Sequence, residues 1–86
     1  MPRISAFYGI LIYMYFRDHA PPHFHAIYGE HEAVVDIASG EITAGALPRR
    51  ATGLVEQWRA LHRDELMENW RLSQLGQPLQ NIVPLD

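Results

Sequence analysis

In the first 44 residues, largely apolar segments are separated by short polar ones, as is typical of β-strands joined by turns. Residues 7–16, 23–28 and 31–37 are rich in aromatic and β-branched side chains, and the segments between them contain Asp, Pro and Gly. A short segment, Glu41-Ile42-Thr43, is a fourth candidate strand. The pattern therefore predicts a small, twisted antiparallel sheet of three to four strands.

The segment Tyr28-Gly29-Glu30-His31 predicts a two-residue turn, because Gly29 can adopt the positive φ that such a turn requires. This turn fixes the register of the hairpin, with His23 opposite Asp36 and Phe24 opposite Val35. Opposed side chains share a face of the sheet. One face then collects Phe24, Ala26, Tyr28, Ala33, Val35 and Ile37, and the other collects His23, His25, Ile27, Glu32, Val34 and Asp36.

After residue 47 the apolar residues recur with helical period. Pro48 suits the first turn of a helix and Gly76 its end, so the sequence predicts one long helix within residues 47–76. Such a helix, roughly 30 to 40 Å long, would overhang a small sheet, which indicates a partner or a bend. Residues 77–86 contain four large apolar side chains and are expected to dock as an extended tail.

These elements predict an α+β fold in a single domain, residues 1–86. Its sheet half spans residues 1–44, and the long C-terminal helix packs across the apolar face of the sheet. The predicted core consists of Ile10, Ile12, Phe24, Val35, Leu54, Trp58 and Leu61.

Composition limits the classes of function. The chain has 86 residues and no cysteine, so packing or self-association must supply its stability, and we expect a homo-oligomer. The net charge is −3 and all seven basic residues are Arg, which gives weak support for RNA or DNA binding. The absence of an 18-residue apolar run and of a signal-like start predicts a cytoplasmic protein without membrane association.

Three of the five histidines, His19, His23 and His25, lie within seven residues beside a Pro-Pro pair. In a strand, His23 and His25 project from one face, close enough to bind one ion. The three histidines are the predicted ligands of a divalent transition metal, Zn²⁺ or Ni²⁺, or of an anion. Alternatively His23, His25 and Asp36 perform acid–base catalysis on a phosphodiester, or these side chains only pair across the strands. Other polar residues expected nearby are Tyr13, Tyr15 and Glu32.

A second polar cluster, His62, Glu65 and Asn69, follows the spacing of three and four that brings helix side chains together. It could hold a metal or relay protons, and it could equally tie the helix to the rest of the chain. The Arg residues of the helix alternate with acids, which favours a solvated, salt-bridged face over a phosphate-binding one.

An aromatic strand followed by Asp18-His19-Ala20-Pro21-Pro22-His23-Phe24-His25, and a helix with Leu61-His62-Arg63 and Asn69-Trp70, resembles the bacterial family called domain of unknown function 4160. The resemblance extends over essentially the whole chain. It implies a short cytoplasmic protein with a small cognate protein partner, of the presumed toxin–antitoxin or regulatory type, and it implies no established activity. Two hypotheses follow: a regulatory binding module with a His-rich surface, or a small RNase or other phosphodiesterase that uses His23 and His25.

Overall fold

The computed structural model describes residues 2–86, which form five strands followed by two helices. The strands are β1 (Arg3–Phe7), β2 (Ile10–Tyr13), β3 (His23–Tyr28), β4 (His31–Asp36) and β5 (Ile42–Gly45), and the helices are α1 (Arg49–Leu61) and α2 (Arg63–Gln74). The strands form one antiparallel sheet in sequence order. Neither helix in the described part of the chain is long and apolar enough to cross a membrane.

The prediction of three to four strands was wrong because the aromatic run at residues 7–16 is not one strand. Tyr8 and Gly9 have positive φ angles of 51° and 79° and form the turn between β1 and β2. A single strand across residues 7–16 would be about 33 Å long, whereas a six-residue strand such as β3 is about 20 Å long. The additional strand, β1, takes only Phe7 from this run and consists mostly of residues 3–6, where it buries Ile4, while β2 buries Ile12.

The predicted β3–β4 hairpin is confirmed residue by residue. Tyr28 pairs with His31 across the turn, Phe24 pairs with Val35, and His23 pairs with Asp36. Phe24 and Val35 are buried, as expected for the core face. The alternation of the sequence and the two-residue turn were therefore sufficient to place His23 and His25 on the opposite face.

The prediction of one long helix was also wrong, because the helical half of the chain is interrupted at His62. This residue has φ −121° and ψ 24°, and its amide N–H closes α1 by donating to the carbonyl oxygens of Trp58 and Arg59. An unbroken helix from Arg49 to Gln74 would be about 39 Å long, whereas the longest dimension of the molecule is 33 Å. The break lets α1 and α2, of 13 and 12 residues, follow the sheet separately.

The core lies between the sheet and the helices and is centred on Trp58, which is fully buried. Its ring centroid is 5.3 Å from that of Phe7 and 5.8 Å from that of Phe24. Of the residues predicted for the core, Leu61 is wrong, because its side chain at the helix break is 67% exposed. Leu54 is only partly buried against the core.

The tail after α2 docks on the domain, as predicted. The Ile82 amide donates to the Ile4 carbonyl oxygen (2.8 Å), and the indole N–H of Trp58 donates to the Val83 carbonyl oxygen (2.9 Å). The Ile82 side chain is buried in the core, and Leu79 and Leu85 pack partly against it. The tail therefore runs beside β1 and covers the end of the core around Trp58.

Candidate metal centre

The candidate site begins with the alternation of β3, which places His23 and His25 on the face of the sheet opposite Phe24. Their ring centroids are 5.4 Å apart. The His23 side chain is 5% exposed and that of His25 is 15% exposed, so both rings are largely removed from water. The loop before β3 folds back over this face and brings the carboxylate of Asp18 against both rings.

Asp18 is the point at which the two histidines converge. Its Oδ2 atom is 2.9 Å from Nε2 of His23 and 3.7 Å from Nε2 of His25. One ligand atom from each of the three residues lies within 4.8 Å of the others, which is the spacing of a possible metal site. The site thus offers two imidazole nitrogens and one carboxylate oxygen, a set that suits Zn²⁺ and similar transition metals.

The other ring nitrogen of each histidine already has an acceptor. Nδ1 of His23 is 2.8 Å from the carbonyl oxygen of Pro21, and Nδ1 of His25 is 3.1 Å from Oε2 of Glu32. Because a carbonyl and an ionised carboxylate only accept hydrogen bonds, both Nδ1 atoms carry the proton. When the rings are neutral, both Nε2 atoms therefore present a lone pair toward Asp18.

Two lone pairs that face a carboxylate oxygen repel it unless a positive charge lies between them. At His23, where Nδ1 already carries a proton, a second proton on Nε2 makes the ring an imidazolium that donates to Asp18 across the 2.9 Å contact. Nε2 of His25 is buried and has no hydrogen-bond partner among residues 2–86. A buried polar atom without a partner is costly, and a bound cation would give this nitrogen the partner that it lacks.

The carboxyl group of Asp18 is held in its charged form. Burial by itself would raise the pKa of Asp18, but the amide N–H of His19, which donates to Oδ1 at 2.8 Å, and the His23 ring together outweigh it. The pKa is therefore lowered from its usual value, and Asp18 is an anion at neutral pH. A charged carboxylate between two imidazoles is the form that binds a cation.

Aromatic side chains enclose the site on two sides. The Tyr15 ring meets the His25 ring edge-on at 4.5 Å, and the Trp70 ring from α2 lies 5.1 Å from that of His23. Burial raises the pKa of Tyr15, and the negative charge of Glu32 adds to this. The phenol is therefore neutral and can donate a hydrogen bond.

Tyr13, also predicted near the site, pairs with His25 across β2 and β3.

Two of the residues predicted for the site lie beside it. The His19 side chain is 84% exposed, and its Nε2 atom is 3.9 Å from Oδ1 of Asp18, outside the three-residue cluster. Asp36 is opposite His23 in the register, but its Oδ1 atom accepts the amide N–H of Ser39. The carboxylate that contacts His23 belongs to Asp18.

Sequence reasoning missed Asp18 as a site residue. The strand pattern predicted Asp36 as the carboxylate beside His23, because a strand register predicts partners on the neighbouring strand and gives no information about loops. The signal was nevertheless present, since Asp18 opens the segment in which two prolines precede His23. Prolines restrict the backbone and favour turns, and a turn at that point can return a carboxylate to the start of β3.

The second predicted cluster is divided between two structural contacts. Nδ1 of His62 is 2.7 Å from Oε1 of Glu65 at the helix break. Asn69 is buried and binds the tail, donating to the Gln80 carbonyl oxygen at 2.8 Å and accepting the Gln80 amide N–H at 2.9 Å. The three side chains therefore do not converge on one site.

The solvated Arg face that the sequence predicted is wrong at Arg59. This residue is 7% exposed, and its guanidinium donates to the Ile37 carbonyl oxygen at 2.9 Å and to both carboxylate oxygens of Glu56. Arg63 also donates to the carbonyl oxygen of Ala38, in the turn after β4. Both residues tie the helices to the end of β4.

Comparisons with known proteins identify a family and no characterised relative. No curated protein and no solved structure matches the chain. A family described as a domain of unknown function (DUF4160) matches residues 9–71, a range that contains the site residues Asp18, His23 and His25. Because the match extends over more than half of the sequence, the chain belongs to the DUF4160 family.

Proposed function

We propose that this protein is a small binding module whose Asp18, His23 and His25 hold a divalent transition metal ion, Zn²⁺ or Ni²⁺. One observation carries the proposal: both Nδ1 atoms are bound to acceptors while both Nε2 atoms face a single carboxylate oxygen. In metal proteins a ligating histidine almost always donates its other ring N–H to a carboxylate or a carbonyl. Glu32 and Pro21 supply these two acceptors.

The distances fit an ion of this size. Zinc binds imidazole nitrogen and carboxylate oxygen at about 2.0 to 2.2 Å, so two ligand atoms in a tetrahedral site are roughly 3.3 Å apart. The separations of 2.9 and 3.7 Å between Oδ2 of Asp18 and the two Nε2 atoms lie on either side of this value. The ligand atoms of all three residues lie within 4.8 Å of one another, so binding an ion would draw the two imidazoles toward the carboxylate.

The geometry supports ion binding better than metal-free hydrolysis of a phosphodiester. A general acid and a general base act on different oxygens of the reacting group and must reach it from separate directions. Here both Nε2 atoms are turned toward the same oxygen of Asp18. The RNase hypothesis stays a prediction without a structural feature that favours it.

The biological role of the module rests on the family resemblance and not on the site. A regulatory part in a pair of toxin–antitoxin type, with a small protein partner, stays a prediction. So does self-association. A site with three protein ligands leaves a fourth position for water or for a group from another molecule, which is compatible with a module that responds to a ligand or a partner.

The test is a zinc titration of protein without a His-tag, in competition with a chromogenic chelator. We expect the wild type to bind one Zn²⁺, and His23→Ala, His25→Ala and Asp18→Asn to bind at least about 100-fold more weakly, because loss of a group that only orients a ligand already costs about 10- to 100-fold and each of these variants loses a ligand itself. His31→Ala is the matched control, since His31 is exposed on β4 outside the cluster. Equal affinity in all five proteins would overturn the proposal.

A further inference from the structure

The loop that carries Asp18 is held by the last turn of α2. The amide N–H of Arg17 donates to the carbonyl oxygen of Ser73 at 3.1 Å. The side-chain amide of Gln74 donates to the carbonyl oxygen of Asp18 at 3.1 Å. The backbone on both sides of the Asp18 side chain is thereby fixed to a helix that is 56 residues away in sequence.

The Arg17 side chain also reaches the residue that ends this turn. Gly76 has φ 69°, and a Cβ atom at this position would lie 2.7 Å from Nη2 of Arg17. The Arg17 guanidinium therefore lies directly against the backbone where α2 ends. Cations are favoured at the C-terminal end of a helix, because the last carbonyl groups and the helix dipole are negative there.

Arg17 itself has an unusual backbone. Its φ is 53°, in the left-handed region that residues other than glycine rarely adopt. A strained residue persists only where surrounding contacts hold it in place. Arg17 is held by its contacts with Ser73 and Gly76, and the next residue is held by Gln74. The backbone conformation of Arg17 in turn sets the position of Asp18. Trp70, one turn earlier on α2, also packs against the ring of His23.

We propose that the C-terminal turn of α2 sets the metal affinity of the site, with Gln74 as a positioning residue for Asp18. This inference rests on the proposed metal site. Gln74 touches no ligand atom and acts by holding the backbone of Asp18 so that Oδ2 stays between the two Nε2 atoms. The coupling works in both directions: a metal that fixes Asp18 also fixes the last turn of α2 and the start of the tail.

The test compares Zn²⁺ affinity in wild type, Gln74→Ala and the control Gln57→Ala. Both substitutions remove an exposed helix glutamine, but Gln57 is on α1 and away from the loop. We expect Gln74→Ala to bind Zn²⁺ about tenfold more weakly, in the range for groups that orient metal ligands, and Gln57→Ala to match the wild type.

Hydrogen exchange supplies a second measurement that a purely structural role would not change. The amides of Gly76 and Gln77 donate to Ser73 and Leu72 in the last turn of α2. We expect Zn²⁺ to slow their exchange in the wild type by more than it slows that of the His62 amide at the end of α1, and we expect this difference to disappear in Gln74→Ala.

The outcomes separate this inference from the proposed function. If Gln74→Ala lowers the melting temperature but leaves Zn²⁺ affinity unchanged, while His23→Ala abolishes binding, Gln74 is only structural and the inference is wrong, although the metal site stands. Amide exchange rates at Gly76 and Gln77 that do not change when Zn²⁺ is added would likewise overturn the coupling. A wild type that binds no Zn²⁺ would overturn both.

Discussion

At the scale of single residues, the chemistry of the site depends on which nitrogen of each histidine carries its proton. The Pro21 carbonyl oxygen and the Glu32 carboxylate accept hydrogen bonds from Nδ1 of His23 and His25, and this leaves both Nε2 atoms for an ion. Strand alternation predicted that the two rings share a face, because the period of two is a property of the backbone. It could not predict their Nδ1 partners, because these depend on loop conformation and side-chain rotamers.

Arg59 allows a prediction about pH. The hydrogen bonds from its guanidinium hold the pKa of Glu56 below its usual value. The pair therefore stabilises the fold above the pKa of an unfolded-chain glutamate, about 4.3, and this contribution is lost as the pH falls through the lower folded pKa. Glu56 is half exposed, so we expect Glu56→Gln to cost only about 0.5 to 1 kcal/mol at pH 7.

Urea denaturation of wild type and Glu56→Gln from pH 7 to pH 2 measures this difference. It should disappear at the acid end of the range, whereas Glu30→Gln, at an exposed turn position, should match the wild type throughout. A difference that stays constant down to pH 2 would show that the ion pair is not its source.

Trp58 is the residue on which core stability depends most. Replacing it with Ala removes a fully buried indole that packs against Phe7 and Phe24, together with its hydrogen bond to the tail. We expect a loss of about 3 to 5 kcal/mol in the free energy of unfolding. The control is Leu61→Ala at the exposed helix break, with an expected change within about 0.5 kcal/mol. Equal losses in the free energy of unfolding, measured by denaturant titration, would mean that the buried and exposed faces of α1 are assigned wrongly.

At the scale of elements, the hairpin of β3 and β4 was predictable and the β1–β2 turn was not. Gly29 is followed by the polar residues Glu30 and His31, which marked a turn, whereas Gly9 is the only interruption in a run of large apolar residues. A tyrosine with positive φ is uncommon, so composition indicated a continuous strand. The length of the predicted helix indicated a partner or a bend, but nothing in the sequence placed the interruption at His62, because neither Pro nor Gly lies there.

The tail offers a prediction at the same scale. Asn69 on α2 makes two hydrogen bonds to the backbone of Gln80, and Asn69→Ala would leave both backbone groups without these partners. We expect a cost of about 2 to 4 kcal/mol and faster protease cleavage within residues 77–86. Asn81→Ala removes an exposed amide from the tail itself and should change neither measurement. Unchanged cleavage in Asn69→Ala would show that the tail is held by its apolar side chains alone.

At the scale of the whole molecule, one face of the sheet builds the core with the helices, and the other face presents the site beside the end of α2. The apolar pattern predicted the core face of the sheet well, because burial of apolar side chains determines which face packs against the helices. The second depends on contacts between residues far apart in sequence, such as Gln74 with Asp18, which no local pattern contains. For this reason the division of the chain into a sheet half and a helical half was predictable, whereas the numbers of strands and helices were not, and the ligand set was only partly so.

A bound metal should stabilise the whole fold, because Asp18, His23 and His25 are brought together only in the folded chain. At a free Zn²⁺ concentration of 100 times the dissociation constant, the expected gain in the free energy of unfolding is about 2.7 kcal/mol. The midpoints of urea denaturation with and without Zn²⁺ measure this gain. We expect His31→Ala to gain as much as the wild type and His23→Ala to gain nothing. A gain of equal size in His23→Ala would place the bound zinc elsewhere.

The most direct test of the metal centre is a long-range ¹H–¹⁵N NMR spectrum of the five histidine side chains, recorded before and after one equivalent of Zn²⁺. We predict that the Nε2 signals of His23 and His25 shift together while their Nδ1 atoms stay protonated, as the contacts with Pro21 and Glu32 require. The signals of His31 and His62 should not move. Shifts confined to other histidines, or zinc bound through Nδ1 of His23 or His25, would contradict the assignment of this site.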